Sequence, residues 1–150
     1  MRLRKSICVI LSLALSACTS YSPSPFYITL KSQQWLNPDE HRRPLAVVVR
    51  LYQLVDDERF QSASFNDLWK NDQQVLGDQL LQRQEWVVIP AQEKSVAITR
   101  RPETQYIGVV ALFRRPEHSV WRVVHQVRLR SMFSSPYKIR LSGNRVEVLE

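Results

Sequence analysis

Val120-Trp121-Arg122-Val123-Val124-His125-Gln126-Val127-Arg128-Leu129-Arg130 changes character at every second residue. Trp121, Val123, His125, Val127 and Leu129 share one face. Arg122, Gln126, Arg128 and Arg130, with Val124 among them, share the other. A period of two with one apolar face predicts a half-buried antiparallel strand whose arginines face water. Moving outward, Tyr106 to Phe113 is apolar throughout and reads as a central strand. Leu45 to Tyr52 is dense in β-branched residues, which suit a pleated surface buried on both sides. Phe26–Leu30, Glu85–Ile89, Ser95–Thr99, Tyr137–Leu141 and Arg145–Leu149 add shorter strands. The last two are joined by the hairpin turn Ser142-Gly143-Asn144. About eight strands between turns predict an all-β chain folded as a two-sheet sandwich over residues 26–150.

One interval departs from this period. Between about residues 56 and 81 the apolar residues are spaced as on a helix, with Phe65, Leu68 and Trp69 at i, i+3 and i+4. Ser64 followed by Asp67 is a helix-start signature, and Gly77 ends or kinks the region. A small helical insertion between two strands is therefore expected.

The N-terminus reads in three parts: basic Arg2, Arg4 and Lys5, an apolar run from Ile7 to Leu15, and Ser16-Ala17-Cys18. The run is too short for a stable bilayer span, which needs about 20 residues, and it has the form of a secretory signal over residues 1–17. Leu15-Ser16-Ala17-Cys18 resembles a bacterial lipobox, in which the leader is cut before a cysteine that becomes acylated. Residues 18–25 then form a short polar tether carrying two prolines. Its seven residues after Cys18 reach at most about 25 Å. The whole chain has 21 Lys and Arg against 14 Asp and Glu, a formal charge of +7, and removal of three basic leader residues leaves 7 − 3 = +4. That mild excess does not demand a polyanion.

Chemistry-bearing residues are sparse. Cys8 and Cys18 are the only cysteines, which excludes a disulfide framework, a redox pair and a cysteine zinc site downstream. The three histidines, His41, His118 and His125, lack the i, i+4 spacing of a helical metal site. His125 lies on the apolar face of its strand, where a structural role suits it. There is no nucleophile elbow, and three glycines are too few for a phosphate-cradling loop. Neither catalysis, nor a metal, nor a cofactor beyond a covalent lipid on Cys18 is expected. Arg100-Arg101 and Arg114-Arg115 each precede a proline in a turn. They read as edge and turn charges rather than as a nucleic-acid surface.

Several segments together resemble the TssJ (VasD/Lip) lipoproteins of type VI secretion. They are Asn37-Pro38-Asp39, Arg43 to Leu54, Phe60 to Trp69, Tyr106 to Arg114 and Trp121 to Val124, in that order behind a lipobox. The resemblance implies a transthyretin-like sandwich with a helical addition. It implies an acylated Cys18 in the periplasmic face of the outer membrane, and Thr19 rather than Asp after it agrees with that destination. It further implies a non-enzymatic role: binding the periplasmic C-terminal part of TssM, and through it TssL, in the trans-envelope complex. No nucleic acid or small-molecule substrate is implied. The partner-binding residues would be Trp35, Leu36, Asn37, Pro38, Asp39, Glu40, His41, Arg42 and Arg43, in the loop between the first two strands. His41 and Arg42 replace the small or glycine-containing stretch commoner at that point. The residues themselves leave Trp35 and Leu36 open between interface and core, and place the charged tip from Asp39 to Arg43 in solvent. A second reading is a periplasmic sandwich lipoprotein that binds a small ligand or cell-wall material. It would need a lined cavity, of which the bulky strands give no sign.

Overall fold

The computed structural model describes residues 25–127 and 137–149. Among them, eight strands form two four-stranded sheets. The first sheet has the order β4 (Glu93–Ile98), β1 (Phe26–Leu36), β7 (Tyr137–Gly143), β8 (Arg145–Leu149). The second has the order β3 (Leu80–Val88), β2 (Val47–Leu54), β5 (Tyr106–Ala111), β6 (Arg122–Gln126). Only the β1–β7 pair is parallel; the others are antiparallel.

Inward-facing residues of both sheets make the main core. Ile28, Leu30, Val49, Leu51, Ile98, Ile107, Val109, Ile139 and Leu141 are all essentially fully buried there. Their spacing of two along each strand is the alternation legible in the sequence. In β6, Trp121 (just before it), Val123 and Val127 (just after it) pack on this core, while His125 meets Tyr137 edge-on at 5.2 Å. The remainder of the alternating segment, 128–130, lies outside the described residues, as do the leader, Cys18 and the tether up to residue 24.

The expected water-facing side of β6 needs correction. The insertion between β2 and β3 folds as three short helices, α1 (Glu58–Ser62), α2 (Phe65–Lys70) and α3 (Asp72–Leu76), followed by a 3₁₀ turn at Gly77–Gln79. Ser64 and Asp67 form the reciprocal capping box at the start of α2, and Gly77 stands at φ 52° where α3 stops. These helices lie on the outer face of the second sheet. Phe60, Ala63, Leu68 and Leu76 make a second apolar cluster with Tyr52, Leu54, Val110 and Val124. Arg122 is therefore under the helices, where its Nη1 donates to the Phe60 and Ala63 carbonyls at 2.9 and 2.7 Å. Removal from water lowers the pKa of its guanidinium.

A buried polar network ties α3 to the sheet. The Asp72 carboxylate accepts from Tyr52 Oη at 2.9 Å and from Arg83 Nη1 at 2.9 and 2.8 Å, with Arg50 Nη1 at 3.4 Å. Burial, with the Asp72 charge adding to it, holds the Tyr52 phenol far above its ordinary range. β3 starts at Leu80 rather than Glu85, with Gln82, Arg83 and Gln84 paired in register against Gln53, Tyr52 and Leu51 of β2. Gln82, Arg83 and Gln84 break the alternation, yet Arg83 is needed on the helix side.

Candidate functional site

β1 is longer than the sequence suggested, and this relocates part of the expected site. Lys31 to Gln34 look like loop residues but continue the strand, with Ser32 turned inward and 6% exposed. Its hydroxyl donates to the Ile89 carbonyl at 2.6 Å and accepts from Gln92 N at 2.9 Å, so neighbouring backbone satisfies it. Trp35 and Leu36 consequently end the strand instead of opening the loop. Leu36 is fully buried in the core, while Trp35 is 46% exposed beside Gly143.

The connection from Asn37 to Ala46 is built on two buried polar side chains. Asn37, in the left-handed region at φ 45°, donates through Nδ2 to the Ala46 carbonyl at 2.7 Å. Its Oδ1 accepts from Arg114 N at 3.0 Å. Its own amide donates to the Gly143 carbonyl at 2.8 Å. One residue thus joins the ends of β1, β5 and β7 to the start of β2. Asn tolerates this backbone conformation better than most residues.

Asp39 organises the tip. Its Oδ1 accepts from the amides of His41 and Arg43 at 2.9 and 2.8 Å, and its Oδ2 accepts from Arg43 Nε at 2.8 Å. Backbone bonds from Asp39 N to Arg43 O and from Arg42 N to Asp39 O close the turn, with Arg42 at φ 62°. The Arg43 amide outweighs the cost of desolvation and, with the Arg43 guanidinium, holds the Asp39 carboxyl below its usual range. The expectation of a wholly exposed charged tip therefore fails at Asp39, whose side chain is 3% exposed. A carboxylate that collects this many amide donors is drawn inward. Glu40, His41, Arg42 and Arg43 are exposed, and Pro38 and Pro44 are half-buried.

Residues outside the expected loop complete this end of the sandwich. Arg114 Nη2 pairs with Glu40 at 3.1 Å. The turn after β5, with its 3₁₀ segment Pro116–His118, lies against the β7–β8 turn: Val120 N donates to the Asn144 carbonyl at 3.0 Å. The sequence offered one signal for this, the turn-forming Arg114-Arg115-Pro116. The contact itself depends on tertiary placement. His41, His118 and His125 are not brought together, and no group of three or more potential metal ligands occurs among the described residues. The surface depressions near this end are shallow and open.

A model of the family described as type VI secretion lipoprotein (VasD, EvfM, TssJ) matches residues 24–144. Among solved structures, the chain is similar to the type VI secretion lipoprotein TssJ1 of Pseudomonas aeruginosa at 28% identity and a TM-score of 0.78, covering 85% of this chain and 95% of that one. A chain of a structure described as a type VI membrane complex matches at 26% identity and a TM-score of 0.77, covering 85% and 99%. A chain in a structure described as the TssM C-terminal domain from EAEC matches at 25% identity and a TM-score of 0.73, covering 85% and 98%. No curated protein sequence matches.

Proposed function

Because this chain belongs to the family of type VI secretion lipoproteins that includes VasD, EvfM and TssJ, we propose that it is the non-enzymatic outer-membrane anchor of a type VI trans-envelope complex. Acyl chains on Cys18 hold the protein in the periplasmic leaflet, and residues 1–17 are its removed signal. The end of the sandwich carrying the 37–46 connection binds the periplasmic C-terminal part of TssM, which links it to TssL.

The observation that carries this reading is the polarity of β1. The chain enters the sandwich at Phe26 and reaches the loop directly after Leu36, at the other end of the same strand. Ten strand steps put those ends about 33 Å apart. A tether at Phe26 thus presents the loop away from its membrane. The loop is held in one conformation by Asn37 and Asp39 before any partner arrives, which reduces the ordering cost of binding.

Two measurements test the proposal. Calorimetry of the chain against the periplasmic part of TssM from the same organism should show saturable binding. Replacing the tip by Glu40→Ser, His41→Ser and Arg42→Gly should remove that binding with little change in thermal midpoint. Undiminished binding by this variant would move the contact elsewhere. For the anchor, Cys18→Ser should leave a folded protein in the soluble periplasmic fraction and stop secretion. A normally secreting Cys18→Ser strain would overturn the anchoring role.

A further inference from the structure

The loop end of the sandwich carries a charge imbalance that the ion pairs sort into two kinds of arginine. Its connections, residues 37–46, 89–92, 112–121 and 142–145, hold Arg42, Arg43, Arg114, Arg115 and Arg145 against Asp39, Glu40 and Glu117. Arg43 is engaged by Asp39 and Arg114 by Glu40. Among the described residues, Arg42, Arg115 and Arg145 form no ion pair, and all three are exposed. Opposing them, Glu117 is the carboxylate of these connections that is left outside the ion pairs among the described residues, and it too is exposed.

These three arginines come from separate connections that backbone bonds hold together. Asn37 ties the first loop to Gly143 and to Arg114, and Val120 ties the turn after β5 to Asn144 and Val146. Arg42 is fixed on a turn closed by Asp39, and Arg145 opens β8 directly after the Asn144 turn. Between the last two connections runs a shallow polar depression lined by Glu117, His118, Ser119, Ser142, Asn144 and Arg145. Unpaired guanidiniums on a rigid rim suit carboxylates of a partner, which they can hold bidentately.

We propose that the partner surface meeting this end is acidic, and that Arg42, Arg115 and Arg145 read it. The inference rests on the TssM reading above and specifies the chemistry of the TssM surface that this chain selects. Anionic lipid headgroups are the less favoured source of negative charge, since the tether leaves the opposite end of β1. Rim charges of this kind act mainly on association rate, salt dependence and choice of partner.

The test uses the full chain in detergent and the periplasmic C-terminal part of TssM from the same organism, titrated at low and at raised salt. The natural chain should lose about tenfold in affinity between 50 and 300 mM salt, roughly the range over which screening shortens from 14 to 6 Å. Arg42→Glu, Arg115→Glu and Arg145→Glu should each weaken low-salt binding by about three- to tenfold, and the triple variant should also flatten the salt dependence. Arg101→Glu, an exposed charge in the β4–β5 turn at the other end, should change neither. A triple variant with natural affinity and salt dependence would overturn the proposal, while loss of binding on tip replacement would leave the TssM reading standing. No binding by the natural chain would remove that reading and this one with it. Charge-dependent binding of a Cys18→Ser chain to phosphatidylglycerol vesicles, with TssM binding unaffected by the triple variant, would overturn the proposal in favour of lipid.

Discussion

Replacing Asn37 separates the contribution of a side chain from that of a backbone conformation. In Asn37→Gly, the Ala46 carbonyl and the Arg114 amide lose their side-chain partners at 2.7 and 3.0 Å, in a residue that is 4% exposed. Leaving a buried polar group unpaired costs about 1–3 kcal/mol. Two such groups at the edge of a loop, where water can partly replace the amide, give about 2–4 kcal/mol. Glycine accepts the φ of 45° without strain, whereas alanine adds about 1 kcal/mol for occupying the left-handed region. Urea denaturation followed by tryptophan fluorescence would read both variants. With an m-value near 2 kcal/mol per M, the midpoint should fall by roughly 1–2 M for Asn37→Gly and further for Asn37→Ala. If both variants stay within about 0.5 kcal/mol of the natural chain, Asn37 is not the joint described here. If the two are equally destabilised, the side-chain bonds matter and the backbone conformation does not.

Asp72→Ala should cost about 3 kcal/mol in the same assay, because it leaves the Tyr52 hydroxyl and the Arg83 guanidinium without their carboxylate beneath the helices. A change below 1 kcal/mol would mean that water supports the network. Gly108→Ala should destabilise by about 1–3 kcal/mol, since an added methyl group would stand 2.8 Å from the Phe60 ring in a filled cluster. Phe60→Leu in the same chain should recover part of that loss, and a purely additive double variant would refute the clash. The Asp39 carboxyl is held below its ordinary value of 3.8, so its contribution is fully present above that pH and is lost as pH falls through the depressed value. Stability measured from pH 5 downward should accordingly decline less steeply in Asp39→Asn than in the natural chain. Equal acid sensitivity in the two would contradict a stabilising role of the ionised Asp39 in the tip.

The sandwich was legible because most inward positions of its strands are apolar at a spacing of two, and the insertion because Ser64 and Asp67 mark a helix start. What the sequence concealed was polar structure. Ser32 and Gln34 end an apparent strand on paper, yet Ser32 is held inward by carbonyls from the β3–β4 turn, residues that lie about sixty positions away. Arg122 was read as solvent-facing because its alternation is correct, but the helices from residues 58–76 occupy that face. Val124 on the same side was the one sign that the face was covered. Within the candidate site, the exposed Glu40, His41, Arg42 and Arg43 were recognisable as a charged tip. Asn37 and Asp39 were not recognisable as its foundations, because a buried carboxylate or amide is defined by where backbone donors converge. Leu36 and Trp35 illustrate the same limit, as two adjacent apolar residues of which only one is in the core.

β1 has its tether-side entry and the loop at opposite ends, and it is an interior strand of its sheet, flanked by β4 and β7. In the proposed assembly, tension between the membrane and a partner on the loop would run along this one strand. Its hydrogen bonds lie across that direction, so both ladders would be loaded in shear, with many bonds resisting together instead of opening one by one. A pull applied across the sheet would meet them singly. The route of the chain therefore aligns the mechanically stiff axis of the domain with the line on which an anchor is pulled.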